Sequence, residues 1–447
     1  MKWTKTTLGG WGRLPRFACE AARPERLPEL NGAFDGLGEG TLIAHGAGRS
    51  YGDCALNENG RVLVMNRFDR ILGFDPVSGD LEVEAGVSLR ALMDVFLPRG
   101  FLVPVNPGTA FATVGGAIAN DVHGKNHEKD GAFGSCLRWI DLLLPSGETV
   151  RVSGDSDRAL FEATQGGVGL TGIMVAVGLR LTRVPSNALD VRETKAANLD
   201  ALLAAIVAEG ARARYSVAWI DALASGPELG RGILETAVES PVGLPSGPRR
   251  DKALPIDLPG FALNPLSVKA FNALWWSRVP AAGRSRKRRY DSFLFPLDAI
   301  HDWNRMYGRR GFRQFQCVVP RADGERALRQ LLERVSASRA GSFLAVLKGM
   351  GAAGPGPLSF PMPGYLLALD FPERAGTLDL LADMERITRN HGGRIYLAKD
   401  SCLSADGFRA MYPRLDEFRA VVERVDPHRR LGSSLSRRLD IRGGGKP

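Results

Sequence analysis

The sequence predicts an α+β chain of two domains, and three observations carry that prediction. Its 447 residues exceed what one hydrophobic core ordinarily encloses. Four short strand signals crowd the early part, and the elements after them lack the regular alternation that marks a parallel sheet. From about Pro185 onward the texture changes, and strands alternate with three helices.

Taken in order, TLIAH (41–45), RVLVMN (61–66), RILGFD (70–75) and LEVEA (81–85) read as strands, because apolar runs are broken by Gly, Asn, Asp and Pro. Ser88 caps a helix over 89–97, whose Leu89, Leu92, Val95 and Phe96 share one side. RWIDLLLP and ETVRVS flank Ser146-Gly147 as a hairpin, residues 155–165 read as a helix, and 172–183 as a long strand. Beyond 185, YSVAWID, ILETAVE, RQFQCVVP, SFLAVLK and YLLALDF alternate with helices over 199–209, 323–336 and 375–390. This is a second α+β unit with a mostly antiparallel sheet and its helices on one face. The tail, 407–439, is helical and Arg-rich and ends in RGGGKP; the chain has no internal repeat.

Composition narrows the function classes. Lys plus Arg number 59 against 49 Asp plus Glu, and the net charge of +10 favours anionic partners without separating nucleic acid, phospholipid and phosphorylated substrate. No apolar run reaches the roughly 20 residues of a membrane span, and the N-terminus lacks the apolar core of a secretory signal. The expectation is a cytoplasmic, non-integral protein. Cys19, Cys54, Cys136, Cys317 and Cys402 form no close pair, which argues against a zinc site or a disulfide framework. The H-E-x-x-H and P-loop signatures are absent. Pro241 to Arg289 holds several prolines, Trp275-Trp276 and the run RSRKRR. It reads either as a solvated crossing loop or as an interfacial patch for a headgroup layer, and a lid that touches lipid satisfies both.

The chemistry is organised around PVNPGTAFATVGGAIANDVHGKNH, 104–127. Gly115 and Gly116 precede Ala117, Ile118 and Ala119, which can start a short helix, so their bare amides are expected against an anion, most naturally a pyrophosphate. A second glycine turn, 46–53, follows an apolar run, and two such turns suggest one extended cofactor held from both ends. Gly167 to Gly172 matches G-x-G-x-x-G letter for letter, but a helix precedes it and a strand follows, the reverse of a dinucleotide fingerprint. A lone histidine such as His123 is more often structural than catalytic; Lys125, Asn126 and His127 in the same turn favour a role. Gln314 and Gln316 point to one face of a strand, with Phe315 and Cys317 on the other. Lys348 and Lys399, each ending an apolar strand, either reach water or attract a phosphate beside a pocket.

Together AHGAGRSYGD, PGT, TVGGAIANDVHGKNH, GVGLTGI, WNRMYG, FRQFQ, LSFPMPG, YLAKDS and DPHRRL resemble, in this order and over nearly the whole chain, the vanillyl-alcohol-oxidase (PCMH) type of flavoprotein. Within it the likeness is to the decaprenylphosphoryl-β-D-ribose 2-oxidase family. The resemblance implies a PCMH-type FAD-binding domain over 1–185, completed by 394–447, and a substrate-binding domain over 186–393 that carries the basic, Trp-containing loop 241–289. It places FAD against Ala44, His45, Gly46, Ala47, Gly48, Arg49, Ser50, Tyr51, Gly52, Asp53 and Cys54. It adds Gly108, Thr113, Val114, Gly115, Gly116, Asn120, Asp121, Val122, His123, Ile173 and Tyr396. Lys399, His123 and Tyr51 are the implied catalytic residues, with Gln316, Lys348 and Lys399 on the substrate. Arg49 stands where many relatives carry a tethering histidine, which implies noncovalent FAD. Leu294, Leu366 and Ala368 depart from the family's tyrosine, asparagine and cysteine on the substrate side.

The implied reaction is FAD-dependent oxidation of the C2 hydroxyl of a polyprenyl-phosphate-linked pentose to a ketone. That would be the first half of an epimerisation in cell-envelope glycan precursor synthesis, with a short-chain reductase as partner and peripheral contact with the inner membrane. A soluble sugar or aldonolactone oxidase on the same scaffold is the alternative. A basic nucleic-acid-binding protein is a distant third, since basic strands interleaved with aromatics are not evident.

Overall fold

The structure, a computed structural model, describes residues 1–245, 252–341 and 343–444. Parts of the basic segment (246–251) and of the C-terminal tail (445–447) named above lie outside the described residues.

Two sheets form the N-terminal half. In the first, Thr4–Gly9, Arg16–Ala22, Arg61–Val64 and Leu42–His45 lie side by side; the first two are antiparallel and the last three run parallel. The first two of these strands were not legible in the sequence, because Thr4–Gly9 is an exposed edge whose polar residues show no buried alternation. The second sheet is antiparallel throughout, in the order Ile71–Phe74, Asp80–Glu84, Ile173–Arg180, Leu137–Leu143, Thr149–Ser153. The expected hairpin closes through Gly147 at φ +90°, a conformation that suits glycine. Ser88 caps the helix Leu89–Phe96 by accepting from the Ala91 amide, as its position before the apolar periodicity predicts.

The third sheet has eight strands: Arg284–Arg289, Ala188–Ala196, Gly232–Glu239, Tyr215–Ile220, Ala345–Met350, Gly364–Pro372, Phe312–Pro320 and Arg394–Ile395. Every pairing in it is antiparallel. Alternation sorts its faces. Phe315, Cys317, Val319, Leu347, Leu367 and Leu369 join a core with the helices Leu199–Gly210, Gly324–Ser338 and Thr377–Asn390. The residues between them, Gln314, Gln316, Val346, Lys348, Leu366 and Ala368, turn toward a cavity.

Two sequence expectations change. The stretch 241–289 is not a loop: it contains the helix Pro265–Ser277, with Asn264 in a capping box, and the edge strand Arg284–Arg289. The run RSRKRR is therefore not a free basic patch. Arg284 and Arg286 pair with the fully buried Glu193, Lys287 with Asp190 and Arg288 with Glu235.

The C-terminal segment returns to the first sheet. The Leu42 amide donates to the Arg430 carbonyl at 2.9 Å, and Arg438 bridges the buried carboxylates of Asp53 (2.7 Å) and Asp400 (2.8 Å). Among the described residues no helix is long and apolar enough to cross a membrane.

Candidate active site

A cavity of about 880 Å³ lies between the glycine turns and the open face of the eight-stranded sheet. Its first wall is the turn after Leu42–His45. The backbone amides of Ala47, Gly48, Arg49 and Ser50 have no acceptor within the described chain, and Gly48 has φ +64°. Successive free amides in such a turn form an anion-binding concavity. The turn is held from behind: the Tyr51 amide donates to the Ala398 carbonyl at 2.9 Å, and a Cβ on Gly52 would fall 1.6 Å from the Asp400 carbonyl oxygen.

The second glycine pair behaves differently from expectation. Gly115 and Gly116 lie in the short helix Val114–Ala119, but their amides are already used: Gly115 donates to the Ala85 carbonyl at 2.7 Å and Gly116 to the Thr113 hydroxyl at 3.2 Å. The pair offers a flat wall rather than donors. Its conformation answers to packing, since a Cβ on Gly115 would stand 3.1 Å from Ala85. Amides free to meet an anion are found in the upstream turn instead.

These features fit FAD. The free amides from Ala47 to Ser50 suit a pyrophosphate, the Gly108 backbone, where a Cβ would meet nothing within 4 Å, leaves room for a flat ring system, and three polar atoms facing this region are buried without partners among the described residues. They are Asn120 Oδ1, His123 Nδ1 and Arg49 Nε. The Arg49 guanidinium lies 4.2 Å from the centroid of Trp11 and 5.0 Å from that of Phe111.

At the sheet end, four functional side chains converge. Nε2 of His123 accepts from the Gln316 amide at 2.9 Å, so the ring proton sits on the unpartnered Nδ1. Burial pushes this imidazole well below its usual range, with Lys348 adding to the effect, so it is neutral at physiological pH. Lys348 donates from Nζ to the Gly124 carbonyl at 2.6 Å, and burial lowers it to about 7. Lys399 stands with Nζ 3.8 Å from the Tyr51 ring centroid and has no hydrogen-bond partner among the described residues; burial lowers it to about 8, against an opposing pull from Asp370.

Asp370 escaped the sequence reading. It is fully buried, accepts from Tyr307 Oη at 3.1 Å and Gln314 Nε2 at 2.6 Å, and burial raises its carboxyl to about 7. Its only signal in the sequence is a charge ending the apolar run YLLALD, which does not tell an interior site from a solvent one.

Most residues singled out in the sequence line this cavity, including Ala44 to Gly52, Cys54, Gly108, Thr113, Asn120, Val122, His123, Tyr396, Gln316, Lys348 and Lys399. Four do not. Asp53 is committed to Arg438, Val114 and Ile173 are core residues, and Asp121, at φ +38°, accepts from the Gly134 amide and the Ser359 hydroxyl. They support the wall from behind. Leu294, Leu366 and Ala368, the departures, all face the cavity. The G-x-G-x-x-G decoy lies between the helix Arg158–Thr164 and the strand Ile173–Arg180, and its Val168 amide donates to the Ala119 carbonyl behind the glycine pair.

Comparisons with known proteins agree with this geometry. The FAD binding domain family matches residues 39–153, and the D-arabinono-1,4-lactone oxidase family matches residues 370–439. Decaprenylphosphoryl-β-D-ribose oxidase of Mycolicibacterium smegmatis is 37% identical over 98% of both chains. An uncharacterised protein of Streptomyces coelicolor is 34% identical over 79% of this chain and all of its own. D-arabinono-1,4-lactone oxidase of Yarrowia lipolytica is 26% identical over 39% of this chain and 34% of its own.

Proposed function

We propose, from the premise that this chain belongs to the decaprenylphosphoryl-β-D-ribose oxidase family and is an FAD-dependent oxidoreductase, that it oxidises the C2 hydroxyl of a polyprenyl-phosphate-linked pentose to a ketone. The observation that carries this reading is the convergence of His123, Gln316, Lys348 and Lys399 on one end of a cavity whose other end suits a dinucleotide. The bound flavin supplies a two-electron acceptor for the carbinol hydrogen and, with Arg49 in place of a tethering histidine, is held noncovalently.

The chain's own residues handle the rest. Lys399 is free of hydrogen bonds and, when uncharged, takes the hydroxyl proton. His123 is the weaker candidate for that proton, because its Nε2 is occupied by Gln316 and burial disfavours its charged form. Its Nδ1–H is left to donate to a sugar oxygen. Gln316 and Lys348 orient the ring.

A lipid carrier is supported by the helix Pro265–Ser277. Val268, Phe271 and Trp275 line the cavity, while Leu266 and Leu274 are 80% and 72% exposed on its outside. An apolar helix at the mouth suits a prenyl chain and a peripheral membrane contact. The ketone would pass to a short-chain reductase.

The test is anaerobic mixing of the flavin-loaded protein with a polyprenyl-phosphoryl pentose. Bleaching of the flavin band together with a 2-keto product supports the reading, and an unchanged spectrum sinks it. The match of 370–439 to lactone oxidases favours a second reading, oxidation of free sugars or lactones, which peroxide release with those substrates would establish.

A further inference from the structure

The basic run RSRKRR holds more charge than its partners neutralise. On the cavity face of the sheet, Val217 lies opposite Glu235, Glu235 opposite Glu193, and Glu193 opposite Arg284. Arg284, Arg286 and Arg288 alternate in the strand and so share that face. Arg278, at the end of the helix Pro265–Ser277, reaches Glu193 at 3.0 Å and Glu235 at 3.5 Å. Lys125 and Arg288 flank one ring, 4.4 and 5.4 Å from the centroid of Phe293. Lys125, Arg278, Arg284, Arg286 and Arg288 thus surround two carboxylates, and Lys125, Arg278, Arg286, Arg288 and Glu235 line the cavity itself. Nε of Arg278 is buried and has no partner. An excess of half-buried cations at the wall of a cavity attracts an anion to complete it.

The position of this cluster is set by three consecutive residues. His123 meets Gln316, the Gly124 carbonyl takes Lys348, and Lys125 donates to the Phe293 carbonyl beside Arg288. Two residue steps span at most about 7 Å of chain, so the cluster adjoins the sugar end of the cavity. Guanidinium groups keep their charge wherever they sit and grip a phosphoryl group through two parallel hydrogen bonds. Lys399 is suited instead to handling a proton, and Lys348 is committed to the Gly124 carbonyl.

We infer that this end of the cavity is a phosphoryl seat, in which Lys125, Arg278, Arg286 and Arg288 hold the phosphate of the substrate while its sugar ring lies over His123 and Gln316. The seat rests on the proposed function for the identity of the sugar, but binding there requires no turnover.

The experiment is calorimetric titration of the flavin-loaded, full-length protein with pyrophosphate and with inorganic phosphate; bound FAD fills the other anion site. Saturable binding that falls at least tenfold in R278Q/R288Q and is unchanged in R326Q, an exposed arginine on the outer helix, is the expected result. Flavin content and melting temperature verify folding. Should the double variant not fold, R278K/R288K keeps the charge and removes the fork, and a loss of threefold or more is expected. No saturable binding, or equal affinity in the Arg278/Arg288 variants and the wild type, overturns the seat. Displacement of pyrophosphate by a pentose 1-phosphate identifies a sugar phosphate as the natural occupant, and displacement only by phosphatidylglycerol vesicles identifies a lipid headgroup in its place and overturns the assignment to substrate. If the seat binds a pentose 1-phosphate but no lipid-linked pentose is oxidised, the proposed reaction fails while the seat stands.

Discussion

Gln316 donates its side-chain amide to Nε2 of His123 at 2.9 Å, joining two residues 193 positions apart. The contact sets the tautomer of the imidazole and occupies its basic nitrogen, so in the reaction proposed above Lys399 is the acceptor of the substrate proton.

Replacing Lys399 by Met is expected to lower kcat by about 10²- to 10⁴-fold, the range of a lost general base, with FAD content unchanged. Stopped-flow reduction of the flavin by substrate measures it. Full turnover in Lys399→Met would refute the assignment.

The pH profile follows from the same residue. Burial lowers Lys399 to about 8 and only its uncharged form accepts a proton, so kcat is expected to rise with pH and level off above about 8. In Lys399→Met that limb disappears. A profile that falls through this range would show that the charged lysine is the working form.

Lys348 gives a stability prediction. Its folded value, about 7, lies below its ordinary 10.5, because burial disfavours the charge. Between these values the unfolded chain binds more protons than the folded one, so stability rises with pH across that window and the full penalty applies below it. Lys348→Met is expected to raise the melting temperature at about pH 6, with the advantage shrinking toward about pH 10. Parallel thermal scans of both proteins read the difference.

Arg438 ties the C-terminal segment to the flavin half through Asp53 and Asp400, which are 5% and 2% exposed. Arg438→Ala strands two buried carboxylates and is expected to cost about 3–5 kcal/mol and to weaken FAD retention. Denaturant midpoints and flavin absorbance after gel filtration check both.

Two glycines of the cavity wall separate folding from cofactor binding. A Cβ at Gly52 would overlap the Asp400 backbone, whereas one at Gly108 meets nothing within 4 Å. Gly52→Ala is expected to lower the melting temperature of the apoprotein sharply. Gly108→Ala should leave it unchanged and raise the Kd for FAD, read by fluorescence titration.

Much of this was legible in the chain. Gln314 and Gln316 stand two apart in the strand over 312–320, so their shared face followed from period two alone, and the helix before and strand after Gly167–Gly172 excluded a dinucleotide fingerprint there. The Asp370 site was not legible, because its partners Tyr307 and Gln314 come from other elements. Nor was the fate of RSRKRR: a basic run reads as solvated until the sheet register sets a buried glutamate opposite it.

The sequence by itself determined what depends on near neighbours: strand alternation, helix caps, the sharp turns that only glycine permits, and, through the order of its motifs, the class of cofactor. The tertiary structure alone decided which amides stay free and which charges are neutralised. The Gly115 and Gly116 amides turn inward to Ala85 and Thr113 while those of Ala47 to Ser50 remain open. Hydrogen bonds and ion pairs form between groups brought together by sheet register across long stretches of chain, and no local pattern encodes that register's far partner.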